Sequence, residues 1–167
     1  MTGTAIHRVG QFWRHSSARV SPAETASAES ILGPSLAGFF LELPVNDQRH
    51  GLDVLHTIDR ALPDAASILR QAALLHDMGK AGAALSVLER SLTVFLAALS
   101  PRLLQGVLRL RPGLARRYAI YADHARIGAE RLRAAGAIEL AAVIAEHHAA
   151  KPRSEVTSAL QRADHAN

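Results

Sequence analysis

Proline and glycine cut this chain into segments of helix length. Gly33-Pro34, Pro44, Pro63, Gly79 with Gly82, Ser100-Pro101, Arg111-Pro112-Gly113, Gly136 and Pro152 fall between stretches rich in Ala, Leu, Arg and Glu. Those four residues lose little on entering a helix, whereas β-branched runs that would favour strands are scarce. Breaks this frequent suit short helices joined by short connections, so the chain reads as all-α, a bundle of about eight helices. At 167 residues and 49% apolar content it can bury one real core. Aromatics are only 4%, so Leu, Ala, Ile and Val must build it.

Local signals place the elements. Ser21-Pro22-Ala-Glu24 is a helix start, with Ser as N-cap, Pro at the first helical position and Glu three after the cap. That helix should run to about Leu32, and a short amphipathic one from Ser35 to Leu43. Asn46-Asp47 is expected to cap a helix ending near Leu62, and the next spans about Asp64 to His76. Residues 83–99 and 101–110 read as a pair hinged at Ser100-Pro101. A helix over 114–134, interrupted near Asp123, precedes one over 137–148 and a last one from Ser154. Phe12 and Trp13 lie in a polar lead-in and are expected to dock on the body.

Composition narrows the chemistry. Without cysteine there is neither a disulfide framework nor a thiolate metal site, so any metal must be held by His, Asp, Glu and water. The start lacks the apolar core of a secretory signal, and the most apolar stretch, Leu85 to Leu110, is broken by Glu89, Arg90, Pro101, Arg102 and Arg109. A cytoplasmic protein without a membrane partner is the expectation. The net charge of +4 is carried mostly by arginine and reads first as a solvated surface, with attraction of an anionic substrate as the functional alternative. Basic residues are not interleaved with aromatics, which argues against extended nucleic-acid binding.

The residues able to hold a metal form an ordered series: His50, His76-Asp77, His124, His147-His148 and Asp164. Each lies on or at the end of a different expected helix, and helices around one core can point such groups to one centre. Leu74-Leu75 precede His76, Val143-Ile144 precede His147, and Ala159-Leu160 precede Asp164, so each polar group follows a face that looks buried. His56 competes with His50, but the two are spaced so that both cannot comfortably face one site. His50 is preferred.

This series resembles the HD superfamily of metal-dependent phosphohydrolases. Leu-Leu-His76-Asp77-Met-Gly-Lys80 is similar to the family's central motif, and the core pattern of His, His-Asp and Asp maps onto His50, His76-Asp77 and Asp164. His124, in Asp-His-Ala-Arg-Ile-Gly-Ala, resembles a first extra histidine found in di-metal members, with Ala125 where the family has Pro. His147 resembles the second, and His148 is a further ligand or a substrate contact. The likeness covers residues 46–165, leaving 1–45 as a helical extension packed on an HD domain of 46–167. A three-metal relative would carry Glu four residues before His50; Asn46 stands there.

The resemblance implies an HD-type helical bundle holding divalent ions, most simply two, drawn from Fe, Mn, Zn, Co, Ni or Mg. It implies a phosphohydrolase that cleaves a phosphoester or phosphoanhydride of a nucleotide or another small phosphorylated molecule by metal-activated water. Asp77 is the natural bridging carboxylate. Lys80 is expected to bind the substrate's phosphate, with Arg126 and Arg131 as weaker candidates. Two other outcomes on this scaffold are a non-catalytic signalling module and a di-iron oxygenase.

Overall fold

A computed structural model describes residues 18–167. Phe12 and Trp13 lie outside that range. Among the described residues there are ten α-helices and no strand, so the all-α reading holds. The helices are α1 (Pro22–Leu32), α2 (Ala37–Leu41), α3 (Val45–Ala61), α4 (Ser67–Leu75), α5 (Val87–Leu99), α6 (Pro101–Leu110), α7 (Pro112–Ala122), α8 (His124–Ala134), α9 (Ile138–Glu146) and α10 (Glu155–His165). A 3-10 turn, Met78–Lys80, separates α4 from α5. The count exceeds eight partly because residues 112–134 form two helices that break at Asp123.

Caps explain several boundaries. The Ser21–Glu24 capping box is formed as its sequence predicts, with side chain and backbone exchanging hydrogen bonds in both directions. A second box, Ser86 with Glu89, starts α5 at residue 87 rather than 83. The Asn46-Asp47 cap does not form. Helix α3 begins one residue earlier, at Val45 behind Pro44, and makes no side-chain cap bond. Asp47 is instead buried and held by both terminal nitrogens of Arg90, at 3.2 and 3.4 Å.

Helix α4 is the centre of the bundle. It touches α1, α2, α3, α9 and α10, and Ala72, Ala73, Leu74 and Leu75 are all buried. Its first turns still carry Ser67, Arg70 and Gln71, but the last turn is apolar on every side and has no solvent face, which is why it delivers His76 into the interior. Small residues set the approach distances. A Cβ on Gly51 would lie 3.1 Å from the Leu74 carbonyl oxygen, so α3 rests directly on the α4 backbone. That contact brings His50 beside His76. The core joins α1 to α4 with α8, α9 and α10, through residues such as Phe40, Leu52, Ile58, Leu132, Ile144 and Leu160. Helices α5 to α7 form a satellite layer whose own buried side chains include Thr93, Leu104 and Leu114.

Candidate metal centre

Two histidines follow directly on the ends of helices, and a third opens α8 just after α7 ends. His76 follows α4, His124 follows α7 by one residue, and His147 follows α9. Each ring donates its Nδ1–H to a carbonyl three residues back: Ala73 at 3.0 Å, Tyr121 at 2.7 Å and Ile144 at 2.6 Å. Last-turn carbonyls lack an intrahelical donor, so the histidines satisfy them and are locked in one tautomer. Every Nε2 is thereby left as a lone pair. The ends of α4 and α9 carry the negative pole of the helix dipole, which favours a cation beside His76 and His147, whereas at His124 the end of α7 meets the start of α8.

They meet at Asp77. Its Oδ1 lies 3.2 Å from His124 Nε2 and 3.9 Å from His147 Nε2, while its Oδ2 lies 3.6 Å from His76 Nε2. On the far side of His76, Asp164 Oδ1 accepts from His50 Nε2 at 2.9 Å and stands 3.7 Å from His76 Nε2. His148 Nε2 completes the near side at 3.1 Å from His124 Nε2. Two groups result, Asp77 with His124, His147 and His148, and His50 with His76 and Asp164; in each, one ligand atom per residue lies within 4.8 Å of the others.

The donor set fits a cation. His124 and His147 face each other Nε2 to Nε2 at 3.2 Å with both Nδ1 atoms already donating, an arrangement of opposed lone pairs that needs positive charge between them. His76 Nε2 is buried with no hydrogen-bond partner, and burying such a group uncompensated costs about 1–3 kcal/mol. A metal ion could satisfy both defects.

Electrostatics point the same way. Burial alone would raise the Asp77 carboxyl, but the Lys80 ammonium at 2.5 Å, with His76 and His124, holds it well below the usual range. Burial opposes protonation of His50 as well, yet the Asp164 hydrogen bond and the charges of Asp77 and Asp164 raise it. Asp164 overcomes its own burial through His50 and is lowered to about 2. His147 is pushed down to about 3, first by burial and then by His76. Burial likewise lowers His76 and His148.

These shifts carry a pH dependence. Below the ordinary histidine value of 6.5, the unfolded chain takes up protons at His147 that the fold refuses until about pH 3. His76 and His148 act in the same direction, His50 in the opposite one, and Asp77 stays ionised throughout. Stability of the chelator-treated protein should therefore fall as pH drops from about 7 to about 4, each lowered ring contributing up to about 1.4 kcal/mol per pH unit. Urea unfolding across that range checks it, with His147→Gln giving a shallower profile. A flat wild-type profile would show that these rings titrate normally.

The remaining expectations separate cleanly. His50, His76, Asp77, His124, His147, His148 and Asp164 are brought together, while His56 is exposed on α3. Lys80 is mostly buried and is engaged by Asp77 instead of projecting into open space for a phosphate. Arg126 is exposed and paired with Asp123 and Glu130, and Arg131 pairs with Glu42 above the Phe39 ring; neither contacts the cluster. The sequence reading also passed over Tyr121 and Arg90. The Tyr121 carbonyl fixes His124, and its ring lies 5.5 Å from Lys80 Nζ and 5.4 Å from Arg90 Cζ. Only the position of Tyr121 three residues before His124, shared by Ala73 and Ile144 before their histidines, offered a signal.

No family model matches the chain, and no curated protein or solved structure is significantly similar to it.

Proposed function

We propose that this protein is a metal-dependent phosphohydrolase of HD type, acting on a nucleotide or another small phosphorylated molecule. The observation that carries the reading is Asp77, a buried carboxylate whose two oxygens face different histidine groups. One ion would be held by Asp77, His124, His147 and His148, and another by His50, His76 and Asp164. Bound there, divalent ions supply Lewis acidity and a water made acidic enough to attack phosphorus near neutral pH.

The chain's own residues do the rest. The carbonyl-locked imidazoles hold their lone pairs on target without reorganisation. Lys80 keeps Asp77 ionised, and its ammonium lies with the Arg90 guanidinium against the same Tyr121 ring, so that the cations of two ion pairs stand beside the centre. Such a field favours a phosphate dianion and the charge that develops as its P–O bond breaks. His148 is the one exposed residue of its group, which gives the centre an open side through which a substrate can enter.

Metal analysis paired with a phosphate-release screen over nucleotides and simple phosphomonoesters tests the reading. The expected result is about one to two divalent ions per chain and turnover abolished by chelator and restored by metal. Bound metal without turnover would favour a non-catalytic module, and oxygen consumption by an iron-loaded protein would favour an oxygenase. A wild-type chain that binds no metal would sink the proposal.

A further inference from the structure

Helix α5 is built inside out. Its fully buried side chain is a threonine, Thr93, whose hydroxyl donates back to the carbonyls of Glu89 and Arg90. Arg90 also points inward, to Asp47 and Tyr121. The outward face carries Leu88, Leu92, Phe95 and Leu99, at 74, 46, 61 and 63% exposure. Their i, i+4, i+7, i+11 spacing keeps all four on one narrow stripe of the helix. Leu103 and Leu110 of the adjoining α6 add further exposed apolar surface, Leu110 at 85%. A surface of this kind marks a binding face.

Charge identifies what the face meets. Residues 87–117 carry six arginines and a single acidic residue, Glu89, so this segment alone exceeds the net charge of +4 of the entire chain. Glu89 is itself taken by Arg117. Arg102, Arg109 and Arg116 are exposed and have no ion-pair partner among the described residues. A second copy would set this positive face against its own likeness, which like-charge repulsion penalises. Hot spots of protein interfaces favour Trp, Tyr and Arg and under-use Leu, and the exposed stripe has three leucines with neither Trp nor Tyr. Leucine and phenylalanine outward with arginine alongside is the composition of a helix that lies in a bilayer interface, where acyl chains receive the apolar residues and lipid phosphates receive the guanidinium groups.

We infer that α5 and α6 dock this protein onto the surface of an anionic lipid bilayer. Docking of this kind differs from the expectation of no membrane partner and needs no spanning segment; among the described residues no helix is long and apolar enough to cross. The inference is independent of the phosphohydrolase reading.

Flotation of the full chain with phosphatidylcholine vesicles, with and without phosphatidylglycerol, tests it. The wild type should partition onto the anionic vesicles at least about tenfold more strongly than onto neutral ones and be released by high salt. Leu92→Gln combined with Phe95→Gln should lower that partitioning by about tenfold or more. Arg102→Gln with Arg109→Gln should do the same, at about fivefold for each arginine. Circular dichroism and a thermal melt check that both variants, altered only at exposed positions, remain folded. Wild-type protein left unbound by anionic vesicles overturns the inference, as does binding that neither variant weakens. A dimer that the Leu92→Gln, Phe95→Gln variant disrupts, without vesicle recruitment of the wild type, would assign the face to a second copy instead.

Discussion

Replacing Asp77 with asparagine is expected to abolish metal binding and to destabilise the fold, for two separable reasons. The amide keeps the shape but removes the charge and one acceptor oxygen from the point where both histidine groups converge. Loss of an outer partner of a ligand costs 10- to 100-fold in metal affinity or activity, so loss of the shared carboxylate should exceed about a hundredfold in both. The second effect is local. Lys80 is mostly buried and reaches Asp77 at 2.5 Å, and stranding one member of such a pair costs about 3–5 kcal/mol. Asp77→Asn with Lys80→Met should therefore recover most of the stability and none of the metal. Calorimetry and metal analysis on the four members of that double-mutant cycle separate the two roles. Full activity in Asp77→Asn would remove the central residue from the proposal.

Gly79→Ala should be nearly as damaging, although glycine there adopts no left-handed backbone. The motif suggests that Gly79 lets the chain turn, and the structure gives a different reason. A Cβ at this position would sit 2.0 Å from the His124 carbonyl oxygen and 2.9 Å from the Gly128 backbone nitrogen. Backbone atoms cannot rotate aside, so α8 would have to move away from the 3-10 turn, carrying His124 away from Asp77. Overpacking of this kind costs about 3 kcal/mol or more, and the displaced imidazole should lower metal affinity as well. Gly128→Ala is the natural control, since its Cβ would stand 3.2 Å from the Met78 side chain and 3.3 Å from the Gly79 backbone nitrogen, contacts that a shift of tenths of an ångström relieves, unlike the 2.0 Å approach at Gly79. Comparable unfolding midpoints and metal affinities for the two variants would refute this account of Gly79.

What could be read in advance follows the range of the interaction. Ser21 with Glu24 is a contact across three residues, and its cap was legible because all its parts sit in one short window. Ser86 with Glu89 has the same form and lay equally open to reading. Asp47 next to Asn46 looked like another cap, but it is claimed by Arg90 from a different helix, a pairing that no local pattern announces. The clustered histidines were legible through chemistry and order along the chain, and packing gathers them. Arg126 and Arg131 show the reverse: suitable cations whose partners, Asp123, Glu130 and Glu42, only the fold reveals. The inverted face of α5 was missed because a run such as Leu88 to Leu99 reads as core unless one knows which side Thr93 occupies.

The bond between His50 and Asp164 has a topological meaning as well. It links α3 to the last helix and closes a loop of more than a hundred residues with a single side-chain contact. Closing so long a loop costs the unfolded chain more entropy than any nearby contact does, though the cost grows only slowly with length. An ion gripping both residues would act as a clasp, holding α10 against α3 and the rest of the bundle. Chemistry and mechanical integrity would then share one fastening, and whatever empties the centre would also loosen α10 from the bundle.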